Sequence, residues 1–162
     1  MSWCNRRTLL FLPLALAACG FTPTLAPGSA AAGLQGTIRL ADPVDKNGFD
    51  FLQHMEQRLG RPDNPAYDMA YTITTAVVGV GINPQGEIQR YNLTGIIDWT
   101  LTRRSDKTRV AGGQMQSFTS YSATGSSVAE LSAQQDAGVR LMEILGDKIV
   151  TYLQATAPEW TK

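Results

Sequence analysis

Catalysis at a protein site needs a nucleophile, an acid–base pair or a ligand set, and this sequence is short of all three. His54 is the single histidine in 162 residues, and Cys4 and Cys19 are the only cysteines. A zinc site takes about four N, S or O ligands, and a base must lie within hydrogen-bond reach of its proton. His54 sits between Gln53 and Met55, in a stretch with helical spacing, and reads as a helix-flank residue. Gly79-Val80-Gly81 has neither the third glycine nor the following helix of a dinucleotide loop, so it reads as the approach to a hairpin. Serines are frequent between residues 117 and 132, but none lies in a G-x-S-x-G elbow. The carboxylates come singly: Asp98 on a strand's polar parity, and Asp136, Glu143 and Asp147 along a helix. The expectation is a protein with no catalytic residue, no bound metal and no cofactor.

The cysteine that carries chemistry is Cys19. Met1 to Arg7 is a short basic leader with Arg6 and Arg7, and Thr8 to Ala18 is apolar and uncharged. That is too short to span a bilayer, which takes about 20 apolar residues, but it has the size of a signal-peptide core. It ends Leu16-Ala17-Ala18-Cys19-Gly20, similar to a bacterial lipobox. There the thiol accepts a diacylglyceryl group, and cleavage leaves Cys19 as the first residue. Two or more acyl chains suffice for stable anchoring. Gly20 takes the place where, by analogy with enteric bacteria, an Asp would retain the protein at the inner membrane. The expected location is the outer membrane, anchored on its periplasmic side.

Charge gives one further feature. Fourteen basic and 14 acidic residues balance, and a pI near 6.6 argues against a nucleic-acid partner. Without residues 1–18 the count is 12 basic against 14 acidic, a net of −2. Within this balance, Arg103, Arg104, Lys107 and Arg109 crowd around one acid, Asp106, and Arg90 lies at the far end of the same strand. Arginine's planar donor fork suits phosphate. The cluster reads either as a solvated hairpin tip or as a contact for an anion, such as a phosphorylated lipid A headgroup, or for an acidic patch on a partner.

The elements that position these residues follow from periodicity. Residues 19–36 are rich in Pro, Gly and Ala and uncharged, and read as a lipidated N-terminus with a flexible tether. The domain is expected over residues 37–162. A short strand fits Thr37 to Ala41. Phe49, Leu52, Met55 and Leu59 then make the stripe of a helix over residues 48–59, closed by Gly60. Asp68 to Val80 alternates as a strand. Tyr91, Leu93, Gly95, Ile97, Trp99 and Leu101 give the next strand its apolar parity. Ser105-Asp106-Lys107 turns the chain into a strand from Arg109 to Tyr121, with a bulge expected at Gly112-Gly113. Val128 to Thr156 is a long helix, its stripe including Val128, Leu131, Met142, Ile149 and Leu153, with Ser127 and Glu130 as a capping box. The order β-α-β-β-β-α predicts an α+β fold: two helices on one face of a four-stranded, mostly antiparallel sheet.

In this order and spacing the chain resembles the LptE family of lipopolysaccharide-assembly lipoproteins, in its alphaproteobacterial form. The resemblance runs through Leu16-Ala-Ala-Cys19-Gly-Phe-Thr-Pro23, the helix ending Arg58-Leu59, Tyr67-Asp-Met-Ala-Tyr-Thr-Ile73, Arg90-Tyr-Asn-Leu93, Trp99-Thr-Leu101 and Tyr121-Ser-Ala-Thr124. It implies a protein without enzymatic activity that plugs the outer-membrane β-barrel LptD, assists its assembly, and binds lipopolysaccharide. It assigns lipid attachment to Cys19. The residues alone leave two other readings open: a stand-alone periplasmic ligand-binding lipoprotein, and a lipid-anchored accessory of a cell-wall enzyme.

Overall fold

The computed structural model describes residue 26, residues 28–123 and residues 126–161. Cys4, Cys19 and the lipobox lie outside the described residues. The elements run β1 (Ile38–Leu40), α1 (Lys46–Leu59), β2 (Tyr67–Ile82), β3 (Ile88–Arg103), β4 (Arg109–Ser122) and α2 (Ser127–Trp160). The sheet order is β1-β2-β3-β4, with β1 parallel to β2 and the other pairs antiparallel. This is the α+β fold and element order expected from the sequence. The packed unit also reaches back before residue 37, because a short 3-10 turn at Ala32–Leu34 buries Leu34 against the core.

Both helices cover the odd parity of the long strands. Leu93, Ile97, Trp99 and Leu101 are buried beneath them, as their alternation requires. α1 is capped by Asp45, whose side chain accepts from the Gly48 amide at 2.7 Å. Of the expected stripe, Met55 and Leu59 are buried and Leu52 packs against the core, but Phe49 is 56% exposed and Phe51 takes its place in the core. Phe51 packs on Tyr71 with ring centroids 4.9 Å apart, and the Tyr71 hydroxyl donates to the Gly48 carbonyl.

α2 is 34 residues long, about 51 Å at helical rise, and so matches the 16-residue strands at about 53 Å. Its buried stripe runs Ala137, Leu141, Met142, Leu145, Ile149, Val150, Leu153, Ala157 and Trp160. Val128 and Leu131, expected in that stripe, are exposed. The N-cap is Ser126, one residue before the expected box. Gly95 is what lets α2 approach β3: a Cβ there would stand 2.9 Å from Leu141 Cδ2. The two helices are tied by Asp147, whose Oδ1 lies 3.0 Å from both His54 Nε2 and Arg58 Nε. His54 is thus a helix–helix link.

The bulge in the β3–β4 pairing falls between Leu101 and Thr102, opposite the Arg109–Ala111 stretch, and not at Gly112-Gly113. Gly112 has a different reason to be glycine. Its φ is +157°, and a Cβ there would meet the Arg109 guanidinium at 2.7 Å.

Candidate functional site

The β3–β4 turn brings Arg103, Arg104, Lys107 and Arg109 together, and leaves Arg90 thirteen strand positions from Arg103, about 43 Å away along β3. The four clustered cations are not equivalent. Arg103 donates from Nη2 to the Trp160 carbonyl at 2.7 Å and pairs through Nη1 with Asp106 at 3.3 Å. Arg104 pairs with Asp68 at 3.3 Å and donates to the Pro65 carbonyl at 3.4 Å. Both are therefore stitched into the fold.

Among the described residues, Lys107 and Arg109 have no carboxylate partner. Lys107 occupies the turn with φ of 59° and is exposed. Asp106 fixes this turn: its Oδ1 accepts from the Thr108 amide at 3.0 Å. That backbone bond, then a bond from the Thr108 side chain and the nearby Arg103, hold the Asp106 carboxyl below its ordinary pKa.

Arg109 lies across Gly112 on the sheet face that no helix covers. There it lines an open depression of about 480 Å³ with Thr72, Asp98, Thr100 and Gln114. Gln114 Nε2 donates to Asp98 Oδ1 at 2.9 Å. The depression offers one guanidinium, one carboxylate and neutral donors. It can hold an anionic group, but it carries no nucleophile. Among the described residues no cluster of His, Cys, Asp and Glu is arranged to hold a metal ion.

Two further cations escape a linear reading. Arg39 on β1 and Arg61 after α1 line a groove of about 440 Å³ with Arg104, beside Glu56 and Asp42. Arg61 is paired with Glu56 at 2.9 Å. Only the parallel β1–β2 register, with Arg39 opposite Asp68, brings Arg39 to this place. The chain enters the packed unit at the same end, where the Gly36 amide donates to the Leu59 carbonyl at 2.7 Å.

The opposite end is apolar. The β2–β3 hairpin runs beyond the core, with Val77, Val78, Val80, Ile82 and Ile88 exposed on both of its faces. The signal for this was present in the sequence, since after Ala76 the apolar residues fall on both parities. Asn83 closes the tip by accepting from the Gln85 and Glu87 amides.

The family model described as "LptE: Lipopolysaccharide-assembly" matches residues 36–153. The chain belongs to the LptE family. That match spans every element from β1 to most of α2. No curated protein matches the sequence. Among solved structures, the LptE fold seen here is similar to that of a lipoprotein from Caulobacter crescentus CB15, with a TM-score of 0.66 at 20% identity, covering 80% of this chain and 96% of that one. It is also similar to the rare lipoprotein B of Shewanella oneidensis, with a TM-score of 0.60 at 9% identity over 78% of this chain and 98% of that one. Lipoprotein B of Nitrosomonas europaea gives 0.57 at 8% identity, over 76% and 85%. At these identities the likeness concerns the fold, and the family match concerns the role in lipopolysaccharide assembly.

Proposed function

We propose that this LptE-family chain is a lipid-anchored, non-enzymatic component of the outer-membrane lipopolysaccharide translocon. Cys19 carries the acyl chains on the periplasmic side. The folded unit partners an LptD-type β-barrel as plug and assembly factor. The observation that carries this reading is the family match across residues 36–153. The lipobox around Cys19 and the absence of any catalytic constellation in the sequence are consistent with it.

Lipopolysaccharide contact, in this reading, falls on Lys107 and Arg109 more than on Arg103 and Arg104. The latter pair already face Asp106 and Asp68, and an anion would have to compete with those carboxylates. Arg90 stands too far away to join them. A phosphate at Lys107 would gain a strongly hydrated point charge, and one at Arg109 a planar fork in a depression whose carboxylate, Asp98, is already engaged by Gln114.

The test is co-expression of the full chain with the barrel, followed by purification in detergent. A stoichiometric complex is expected, and Cys19→Ala should abolish palmitate labelling of the chain. A chain that purifies alone and monodisperse would contradict the partnership. Lipopolysaccharide binding should fall about tenfold in Lys107→Gln/Arg109→Gln, the equivalent of one lost charge-assisted contact, while the complex persists. Equal lipid binding by that variant would return the turn to a solvated tip.

A further inference from the structure

The strand β4 closes the sheet, and no described strand lies beyond it. Its phase of hydrogen bonding can be read from its end. The Ala123 amide donates to the Gln89 carbonyl at 3.0 Å, so Ser122 and Arg90 face each other without exchanging bonds. Alternation along the antiparallel pair then turns the N–H and C=O groups of Gln114, Gln116, Phe118 and Ser120 away from β3. The Gln116 carbonyl confirms the phase, because it accepts from Lys148 Nζ at 2.6 Å on that outer side. A 14-residue edge of this kind, about 46 Å long and without proline, is a template for another strand.

α2 overhangs this edge. Met115 on β4 and Ile144, Tyr152 and Ala155 on α2 line a groove of about 560 Å³ beside it, with Asp147 and Lys148 on the rim. Ile144 is 37% and Tyr152 39% exposed, and on the uncovered sheet face Phe118 is 61% exposed. Backbone donors and acceptors therefore run between two apolar flanks. A strand with alternating apolar side chains would satisfy the first and cover the second, which is the mode of β-strand addition.

The occupant is constrained by what surrounds the edge. The N-terminal segment of this chain enters beside β1, at the opposite edge of the sheet. A second copy paired so that both helices share one face is opposed by its own helix. α2 lies over β4 itself, since Thr119 Oγ1 donates to the Ala137 carbonyl at 2.9 Å and Lys148 to Gln116. Pairing β4 with β4 would set two such helices about one strand spacing apart, roughly 5 Å, where packed helices need roughly 8–10 Å. The edge accepts a strand that brings no helix behind it.

We infer that the free edge of β4, with the groove under α2, is a docking site for an extended segment of the barrel partner outside its closed wall, whose own strands are already paired, and that this segment becomes a fifth strand of this sheet. The inference rests on the partnership proposed above and adds where the contact is made and how. Lys148 acts as a guard on the unoccupied edge, holding one carbonyl that an incoming N–H displaces.

Amide hydrogen exchange on the full chain, alone and in complex with the barrel, tests this at residue resolution. The expected result is at least tenfold slower exchange in the complex at Gln114, Gln116, Phe118 and Ser120, with little change at the intervening amides that already face β3. Gln116→Pro removes one outward N–H and no bond to β3, and should weaken the complex about tenfold with its melting temperature nearly unchanged. Ile144→Lys should weaken it as well, by charging the groove, and stands in should the proline variant fold poorly. A stable complex with those four amides unprotected would overturn the edge assignment and leave the partnership intact. Failure of the wild-type chain to form any complex would remove both. Protection that rises with the chain's own concentration, without barrel, would assign the edge to self-association and contradict the inference.

Discussion

Arg103 and Lys107 are four residues apart in one turn and do different things. Arg103 holds the C-terminal end of α2 through the Trp160 carbonyl, and it is 29% exposed. Replacing it by Gln should cost about 1.5–3 kcal/mol, the range for a hydrogen bond made by a charged group, and lower the melting temperature measurably. Lys107→Gln should leave the melting curve in place, as expected for an exposed cation without a partner. Equal melting of the two variants would show that the Trp160 contact contributes nothing. Asp106 is the acid of this turn. Its folded pKa lies below the unfolded value of 3.8, so its contribution is complete above that pH and is lost as pH falls through the lower folded value. The protection of the Thr108 amide, its exchange relative to the intrinsic rate at each pH, should fall as the carboxyl protonates, and Asp106→Asn should remove that change. Trp99, 3% exposed and packed edge-on against Tyr152, is the largest core test. Trp99→Ala should cost about 3–5 kcal/mol. Its indole Nε1 is buried without a hydrogen-bond partner among the described residues, so Trp99→Phe should cost clearly less.

At the scale of elements, the strands were legible and the helix faces less so. β3 alternates strictly from Tyr91 to Leu101 because one face is covered and the other is not, and a period of two leaves little room for error. The helix of residues 46–59 can lead its stripe of Met55 and Leu59 with either Phe49 or Phe51. Only docking against Tyr71 decides between them. The first turns of α2 misled for a related reason. Val128 and Leu131 have the right spacing but stay exposed, Leu131 at the rim of a depression shared with Thr75, Val77 and Leu93. The bulge opposite Arg109–Ala111 was assigned to Gly112-Gly113 because glycine often marks a bulge, whereas Gly112 serves the passage of Arg109. Gly95 gives the sharpest check at this scale. A glycine inside a strand is ordinarily improved by a side chain, yet here Leu141 and Leu145 occupy the space. Gly95→Ala should therefore destabilise, by about 1–3 kcal/mol, through overpacking between β3 and α2. A gain in stability would mean that α2 sits further from the sheet than described.

Considered as a whole, the molecule has a basic end and an apolar end. The chain enters at the first, beside Arg39, Arg61 and Arg104, and the β2–β3 hairpin projects from the second. Of the candidate site, the sequence revealed the residue types and their turn. It could not reveal which cations were already paired, because Asp68 and the Trp160 carbonyl reach the turn only through the sheet register and the full length of α2. The edge of β4 was equally hidden, since an unpaired strand and a paired one share the same alternation. The central claim, that this chain serves lipopolysaccharide assembly at the outer membrane, is tested most directly in its own cell by depleting the chain and labelling lipopolysaccharide on intact cells. Surface labelling should fall, and labelled precursor should accumulate behind the outer membrane, with recovery on re-expression of the wild type but not of Cys19→Ala carrying an unprocessed leader. Undiminished surface lipopolysaccharide after complete depletion would contradict the account.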